Sequence, residues 1–428
     1  MKISIISDFH FGFGSGTERE NDPYDAVNEA MEKSKGCDLI IMPGDLFDSR
    51  NPDAEVLSRS MEVLQKPLLW KSGVRFSGFS GNKPDVSKMA LIGIPMVAIH
   101  GTHERRVKGL INPVQALEKA GFLIHLHCNG AVFEKDGKKV CIQGMSGVPD
   151  QYAESVLREW DPKPMEGAYN IFVLHQSITE FLYADNTIDL KKLPRGFDLY
   201  INGHIHDSKV SDYSGKKFLI PGSLIATQLR KEESKEPKSF FIFDTKTGKE
   251  EKVFLEKQRK FFFIEYSDNF DREMKRIIDE NRDRKPIVRV SFPKESIPSE
   301  VEDIETKYSG KVILSVKREK GDEKRFDSKT LEEHKLSVEE LGKKLLSENL
   351  EKEGLDPRTF ENIFVLLGEG KTDEAKEVLE KMPKEKTAVS VKMVKGERKA
   401  DVSKDDPEPK GKSSGDSVEP CQKALNSF

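Results

Sequence analysis

The chain has 428 residues, of which 36% are hydrophobic and 34% charged, with a formal net charge of −4. That length predicts two or three domains and a sizeable core, and the slight acidity excludes a generally basic nucleic-acid binder. Any phosphate-bearing substrate has to be held locally, by metal ions or a basic patch.

The opening MKISIISDFH lacks the apolar stretch and cleavage site of a signal peptide. It reads as a strand, ISIIS, running into Asp8-Phe9-His10. No window reaches the ~18 consecutive apolar residues of a membrane span. Over the first 255 or so residues, short apolar runs alternate with charged helical segments, as in α/β folds. LIIM at 39–42, MVAI at 96–99, NIFVL at 170–174 and LYIN at 199–202 are too short for buried helices. Their isoleucine and valine content predicts buried strands. Helices are expected at 53–66 and 113–120. Segment 70–92 is rich in glycine and serine at its start and reads as a loop or insertion. VFEKDGKKVCI, with Asp136-Gly137 at its turn, and DYSGKKFLI read as strand pairs. Cys37, Cys128, Cys141 and Cys421 show no metal-type spacing, which predicts reduced thiols in a cytosol.

Residues 261–317 read strand, helix, strand, helix, strand, a small βαβαβ-like unit. Three short helices are expected within 337–382, with a Ser337/Glu340 capping box and an Asp356-Pro357 start. From about 383 the chain turns to Lys, Glu, Asp, Ser and Pro, too polar to offset the entropy of ordering, so a disordered tail is expected.

The chemistry lies in what ends the apolar runs. ISIIS leads to Asp8 and His10, LIIMP to Gly44-Asp45 and Asp48, MVAIH to Gly101-Thr102-His103-Glu104, NIFVL to His175, and LYIN to Gly203-His204-Ile205-His206. In a parallel sheet these ends share one edge, where such folds place their ligands. Mixed imidazole and carboxylate donors suit divalent Mn, Fe or Zn. A pair of such ions would act on a phosphoryl group, with Asp45 the natural bridge between them. An isolated Asp-x-His or His-x-His says little; five independent strand ends in ligand chemistry say much more.

Together, Asp8-x-His10, Gly44-Asp45-x-x-Asp48, Gly101-x-His103-Glu104, His175 and Gly203-His204-x-His206 resemble the calcineurin-like metallophosphoesterase signature over roughly residues 1–255. GDLFD, His100 before Gly101 and PGS at 221–223 look like one branch: the archaeal-type double-strand-break repair nucleases of the meiotic recombination eleven family, whose bacterial counterpart is SbcD. The resemblance implies an α/β fold, a metallophosphoesterase β-sandwich flanked by helices, with a small α/β capping domain and a C-terminal helical segment. It implies a nuclease domain at 1–258, a DNA cap at 259–325, a helical partner-docking segment at 326–383 and a disordered tail at 384–428.

For the site, it implies Asp8, His10, Asp45 and His206 around one Mn²⁺, and Asp45, His175 and His204 around a second. His103 would face the scissile phosphate and act as general acid rather than ligand. Asp48, His100 and Glu104 would orient the ligands. Thr102 departs from the family, which usually has asparagine there; a threonine hydroxyl is a poorer metal donor, so the second ion is expected to bind more weakly. Arg105, Arg106, Lys108, Arg230 and Lys231 are candidates for DNA backbone contacts. The implied partners are DNA ends, an SbcC-like coiled-coil ABC-type ATPase and a second copy of the chain, in the cytoplasm of a prokaryote. The alternatives are a metallophosphoesterase for a small phosphoester or cyclic nucleotide, and a non-catalytic scaffold with structural metals.

Overall fold

The computed structural model describes residues 1–81, 83, 85–106, 110–182, 187–292 and 298–318, together with Val378. The expected helices within 337–382 and the polar tail therefore lie outside the described residues, as does Lys108, with Val378 alone seen in a helix.

The chain opens with β1 (Lys2–Ile5), α1 (Asp22–Lys33), β2 (Leu39–Pro43), α2 (Ala54–Leu64), β3 (Arg75–Phe79), β4 (Met96–Ile99), α3 (Pro113–Ala120) and β5 (Ile124–His125). β6 (Asn129–Lys135), β7 (Lys138–Met145), α4 (Asp150–Trp160), β8 (Ala168–Leu174), β9 (Leu199–Asn202), β10 (Lys209–Tyr213) and β11 (Lys216–Ile220) follow. β12 (Ser239–Asp244) and β13 (Lys249–Phe254) return to the first strands. β14 (Phe261–Glu265), α5 (Phe270–Glu280), β15 (Ile287–Phe292), α6 (Pro298–Tyr308) and β16 (Ile313–Arg318) come last.

These strands form a six-stranded sheet in the order β13-β12-β1-β2-β4-β5 and a seven-stranded sheet in the order β10-β11-β9-β8-β7-β6-β3. Alternation along each strand sets the layers. Ile3, Ile5, Leu39, Ile41, Val97 and Ile99 of the first sheet pack on Val140, Ile142, Ile171, Val173, Leu199 and Ile201 of the second. The other face of the first sheet, with Ile40, Met42, Met96 and Ala98, is covered by Val27, Ala30 and Met31 of α1, Val63 of α2 and Leu117 of α3. The outer face of the second sheet puts Phe172, Leu174 and Tyr200 against Ala153, Val156 and Leu157 of α4. Burial on both faces is why these strands read as unbroken apolar runs, and each such side chain contributes roughly 1.5–3 kcal/mol.

The expected metallophosphoesterase sandwich is present, and it corrects one detail of the sequence reading. The ligand-bearing strand ends do not lie on the edge of one sheet. β1, β2 and β4 are parallel neighbours in one layer, whereas β8 and β9 pair in the other.

Segment 70–92 is not all loop, since β3 pairs antiparallel with β6. A register shift between Phe76 and Gly78 interrupts its alternation. The bulge lets Phe76 and Phe79, three apart in sequence, pack edge to face on one core with ring centroids 5.0 Å apart, a pattern that strict alternation does not produce. α1 was not anticipated either. Its sequence DPYDAVNEAMEK is heavily charged, but Tyr24, Val27, Ala30 and Met31 recur at helical spacing and are buried. Cys37 and Cys141 are free and buried, and Cys421 lies outside the described residues.

β14, β15 and β16 form a parallel three-stranded sheet in that order. Phe270, Met274 and Ile277 of α5 cover it, together with Ile304 and Tyr308 of α6. Its seam with the sandwich is polar on one side and apolar on the other. Asp22 accepts from Arg19, Arg259 and Arg284 at 3.1, 3.0 and 2.8 Å. Ala226 packs with Phe261 and Ile287.

Candidate metal centre

Each strand end turns sharply to present its donor. Asp8, His10, Asp45 and His204 have positive φ of 51°, 49°, 52° and 71°, backbone that a non-glycine residue adopts only under constraint. Neighbouring turns pin these residues: His10 N donates to Asp45 O at 3.0 Å and Asp8 N to Gly44 O at 3.2 Å. Gly44 and Gly101 are needed for close approach. A Cβ at Gly44 would collide with the His175 ring, and one at Gly101 with the Asp45 carboxylate.

The donors gather into overlapping groups: Asp8, His10 and His206; Asp45, His175 and His204; and His10, Asp48 and His103. His10 Nε2 and His206 Nε2 lie 3.2 Å apart. His206 Nε2 is 3.8 Å from Asp8 Oδ1, and His175 Nε2 is 3.2 Å from Asp45 Oδ2. The structure thus brings together all six residues expected as ligands, from both sheets, with His103 beside them; Asp45 is grouped with His175 and His204 and not with Asp8, His10 and His206.

Each imidazole turns one ring nitrogen to an outer partner, and for His175, His204 and His206 that contact is a hydrogen bond. His175 Nδ1 lies 2.7 Å from Pro43 O; a carbonyl only accepts, so Nδ1 carries a proton and Nε2 is turned to Asp45. His10 Nδ1 faces Asp48 Oδ1 at 3.2 Å. His206 Nδ1 meets Thr227 Oγ1 at 2.8 Å. His204 Nε2 meets Ser177 Oγ at 3.1 Å, and that hydroxyl donates to Asp150 Oδ2 at 2.8 Å. Outer partners of this kind fix the tautomer and orientation of metal-binding histidines.

Two observations test whether these residues fit divalent metal. His175 Nε2 is fully buried, aimed at the centre, and has no hydrogen bond, and the donor set is imidazole plus carboxylate, which suits transition ions. The residues fit.

Electrostatics agree. Burial opposes ionisation of Asp45, but the adjoining His175 outweighs it and holds the carboxyl well below the usual range. Asp8 is pushed up by burial. His175 would lose its proton to burial, yet Asp45 keeps it, raising the ring to about 9. Burial lowers His204 to about 4 and His206 to about 2, so both are neutral lone-pair donors at neutral pH.

His103 differs from the rest. Its side chain is 41% exposed and its Nε2 stands 4.0 Å from Asp45 Oδ2. Its Nδ1 donates to the Asp48 carbonyl at 3.0 Å, and its backbone N–H to Asp45 Oδ1 at 3.0 Å. Nε2 is therefore free to meet a substrate at the mouth of the site. Glu104 is fully buried and accepts from Phe47 N and Gly101 N at 2.7 and 2.6 Å. It clamps the two ligand loops together, and burial pushes its carboxyl up to about 8.

Among the described residues, the His100 ring has its hydrogen bond with His125 and not with a proposed ligand. Its Nδ1 pairs with His125 Nε2 at 2.9 Å, and its ring stacks on that of His125 and lies tilted against His127. The basic candidates are mixed: Arg106 hydrogen-bonds Asn51, Lys231 pairs with Glu265 at 3.1 Å, and Arg230 is exposed. Asp150, Ser177 and Thr227 were missed from sequence. The Ser two residues after His175 was the only visible signal.

A family model described as the calcineurin-like phosphoesterase superfamily domain matches residues 1–248. The chain is 26% identical over 263 residues to the double-strand break repair protein MRE11 of Macaca fascicularis, covering 54% of this chain and 37% of that one. It is 25% identical over 284 residues to the DNA double-strand break repair protein Mre11 of Methanopyrus kandleri, covering 62% and 54%. With the double-strand break repair protein mre-11 of Caenorhabditis elegans it shares 26% identity over 285 residues, covering 56% and 39%. The match therefore spans roughly a third to a half of these relatives' own length.

Proposed function

Because the chain belongs to the calcineurin-like phosphoesterase superfamily, we propose that it is a Mn²⁺-dependent DNA nuclease of double-strand-break repair. It hydrolyses phosphodiesters at DNA ends, as both exo- and endonuclease. The observation that carries this reading is the convergence of four imidazoles with Asp8 and Asp45. Similarity to repair proteins over more than half of the chain adds the substrate class.

Asp8, His10, Asp45 and His206 would hold one ion, and Asp45, His175 and His204 the other. Bound there, two ions supply Lewis-acid polarisation of a phosphoryl group and acidify water. The chain does the rest. His103 delivers a proton from Nε2 to the departing oxygen, while the Asp48 carbonyl holds its Nδ1–H and sets the ring's direction. Glu104 keeps Phe47 and Gly101 at fixed separation, and so holds Asp45 and His103 in step. Thr102, in place of asparagine, weakens the second ion without abolishing it. Equal two-site Mn²⁺ affinities in wild type and Thr102→Asn would end that idea.

In this reading residues 1–258 are the nuclease domain and 259–325 the cap that orients duplex DNA. The 326–383 segment docks an SbcC-like coiled-coil ABC-type ATPase, 384–428 is a polar tail, and the protein works as a homodimer at a prokaryotic nucleoid in the cytoplasm. Among the described residues no helix is long and apolar enough to cross a membrane.

The test is hydrolysis of linear duplex DNA with Mn²⁺, with Mg²⁺ and with EDTA, beside a small chromogenic phosphodiester. We expect Mn²⁺-dependent DNA degradation, reduced about 10²–10⁴-fold in His103→Ala while Mn²⁺ still binds. Cleavage of the small ester alone would assign the protein to a small substrate instead.

A further inference from the structure

His206 hangs on a short loop that the three-stranded unit grips. Its Nδ1 is held at 2.8 Å by Thr227 Oγ1, and the carbonyls flanking Thr227 are each tied to an arginine. Arg19 Nη2 donates to Ala226 O at 2.6 Å from the sandwich side. Arg289, on β15, reaches across and donates to Gln228 O and Leu229 O, both at 3.2 Å. Leu229 sits at a φ of 52°, a backbone setting that persists in a leucine only when its surroundings enforce it. Beneath the loop Ala226 packs with Phe261 of β14 and Ile287 of β15. The loop that aims a ligand is thus built against the cap sheet.

We infer that Thr227 and Arg289 are positioning residues which couple the seat of the cap to metal affinity at His206. The inference rests on the reading of His206 as a ligand. If the cap sheet shifts, Arg289 releases two carbonyls, the loop relaxes, and Thr227 no longer fixes the ring. By reciprocity, filling the site tightens the seam. Ligands that reseat the cap would then tune the ion through residues that touch neither substrate nor metal.

Mn²⁺ binding measured by calorimetry and electron spin resonance reads this directly. Removing an outer partner of a ligand typically weakens metal by 10–100-fold. We expect Thr227→Val and Arg289→Met each to weaken one of two ions about tenfold, with the double variant no worse than Thr227→Val and Thr227→Ser restored. Lys285→Ala, which breaks the exposed Lys285–Glu18 contact of 2.7 Å on the same seam, should leave affinity unchanged. If His206→Ala loses an ion while Thr227→Val and Arg289→Met bind like wild type, the coupling is wrong and the site stands. If His206→Ala keeps both ions, the site reading itself fails. Hydrogen exchange on wild type needs no variant: Mn²⁺ should slow amides at 226–229 and 287–291, and protection that stops short of β15 would overturn the coupling.

Discussion

At the scale of single residues, the centre is decided by what each side chain does with its second polar atom. His175 illustrates it, since Pro43 O takes one ring nitrogen and Asp45 faces the other. A proton kept up to about pH 9 must leave when metal enters. Metal affinity should therefore rise with pH between about 6 and 9, by up to tenfold per unit, with proton release seen as a buffer-dependent binding enthalpy. Affinity that is flat across that range would contradict this. Glu104 makes the complementary case. Glu104→Ala strands the N–H groups of Phe47 and Gly101, and at about 1–3 kcal/mol for each unmet donor it should lower the urea midpoint clearly. Glu104→Gln, which can still accept, should lose less.

At the scale of elements, the ends of β4 and β5 carry a second histidine group with a different consequence. Burial holds His127 at about 4 and keeps His100 and His125 well below their ordinary value. The sign follows from proton counting: below about pH 6.5 the unfolded chain binds protons that the native chain refuses, so stability falls as pH drops from there towards 4. Each histidine contributes up to about 1.4 kcal/mol per pH unit. A pH series of urea midpoints should show that slope, and His127→Leu should flatten it. Element by element, the sequence was readable where burial was two-sided or turns were stereotyped. LIIM, MVAI, NIFVL and LYIN are β2, β4, β8 and β9, and Asp136-Gly137 is the turn of β6 and β7. It failed where tertiary contact overrode local pattern, at bulged β3 and at charged α1. The six proposed ligands are legible because each closely follows a buried strand. Thr227 and Asp150 are not, because their partners lie 21 and 27 residues away.

At the scale of the whole molecule, Asp22 joins the sandwich to the three-stranded unit. It is nearly buried and surrounded by Arg19, Arg259 and Arg284. Asp22→Ala would leave Arg19 and Arg259 without their carboxylate, while Arg284 keeps Asp25 at 2.8 Å, and breaking a buried pair this way costs about 3–5 kcal/mol. Limited proteolysis should then cut the 255–260 connection faster than in wild type, while the sandwich core stays resistant. Unchanged cleavage would mean that the apolar contacts of Phe261 and Ile287 alone secure the seam.

The two-layer origin of the metal centre also sets a timetable. Asp8, His10 and Asp45 belong to the layer made first, but their counterparts at 175, 204 and 206 come from the other layer. β1 itself lies between β2 and β12, whose residues are 239–244. During synthesis, where domains fold as units from the N-terminal end, a ribosome-bound chain of 170 residues holds half a centre and an unpaired strand edge. A donor cluster built this way stays incomplete in the nascent chain until nearly the whole sandwich has emerged, and a product truncated before residue 175 lacks half of the proposed ligands.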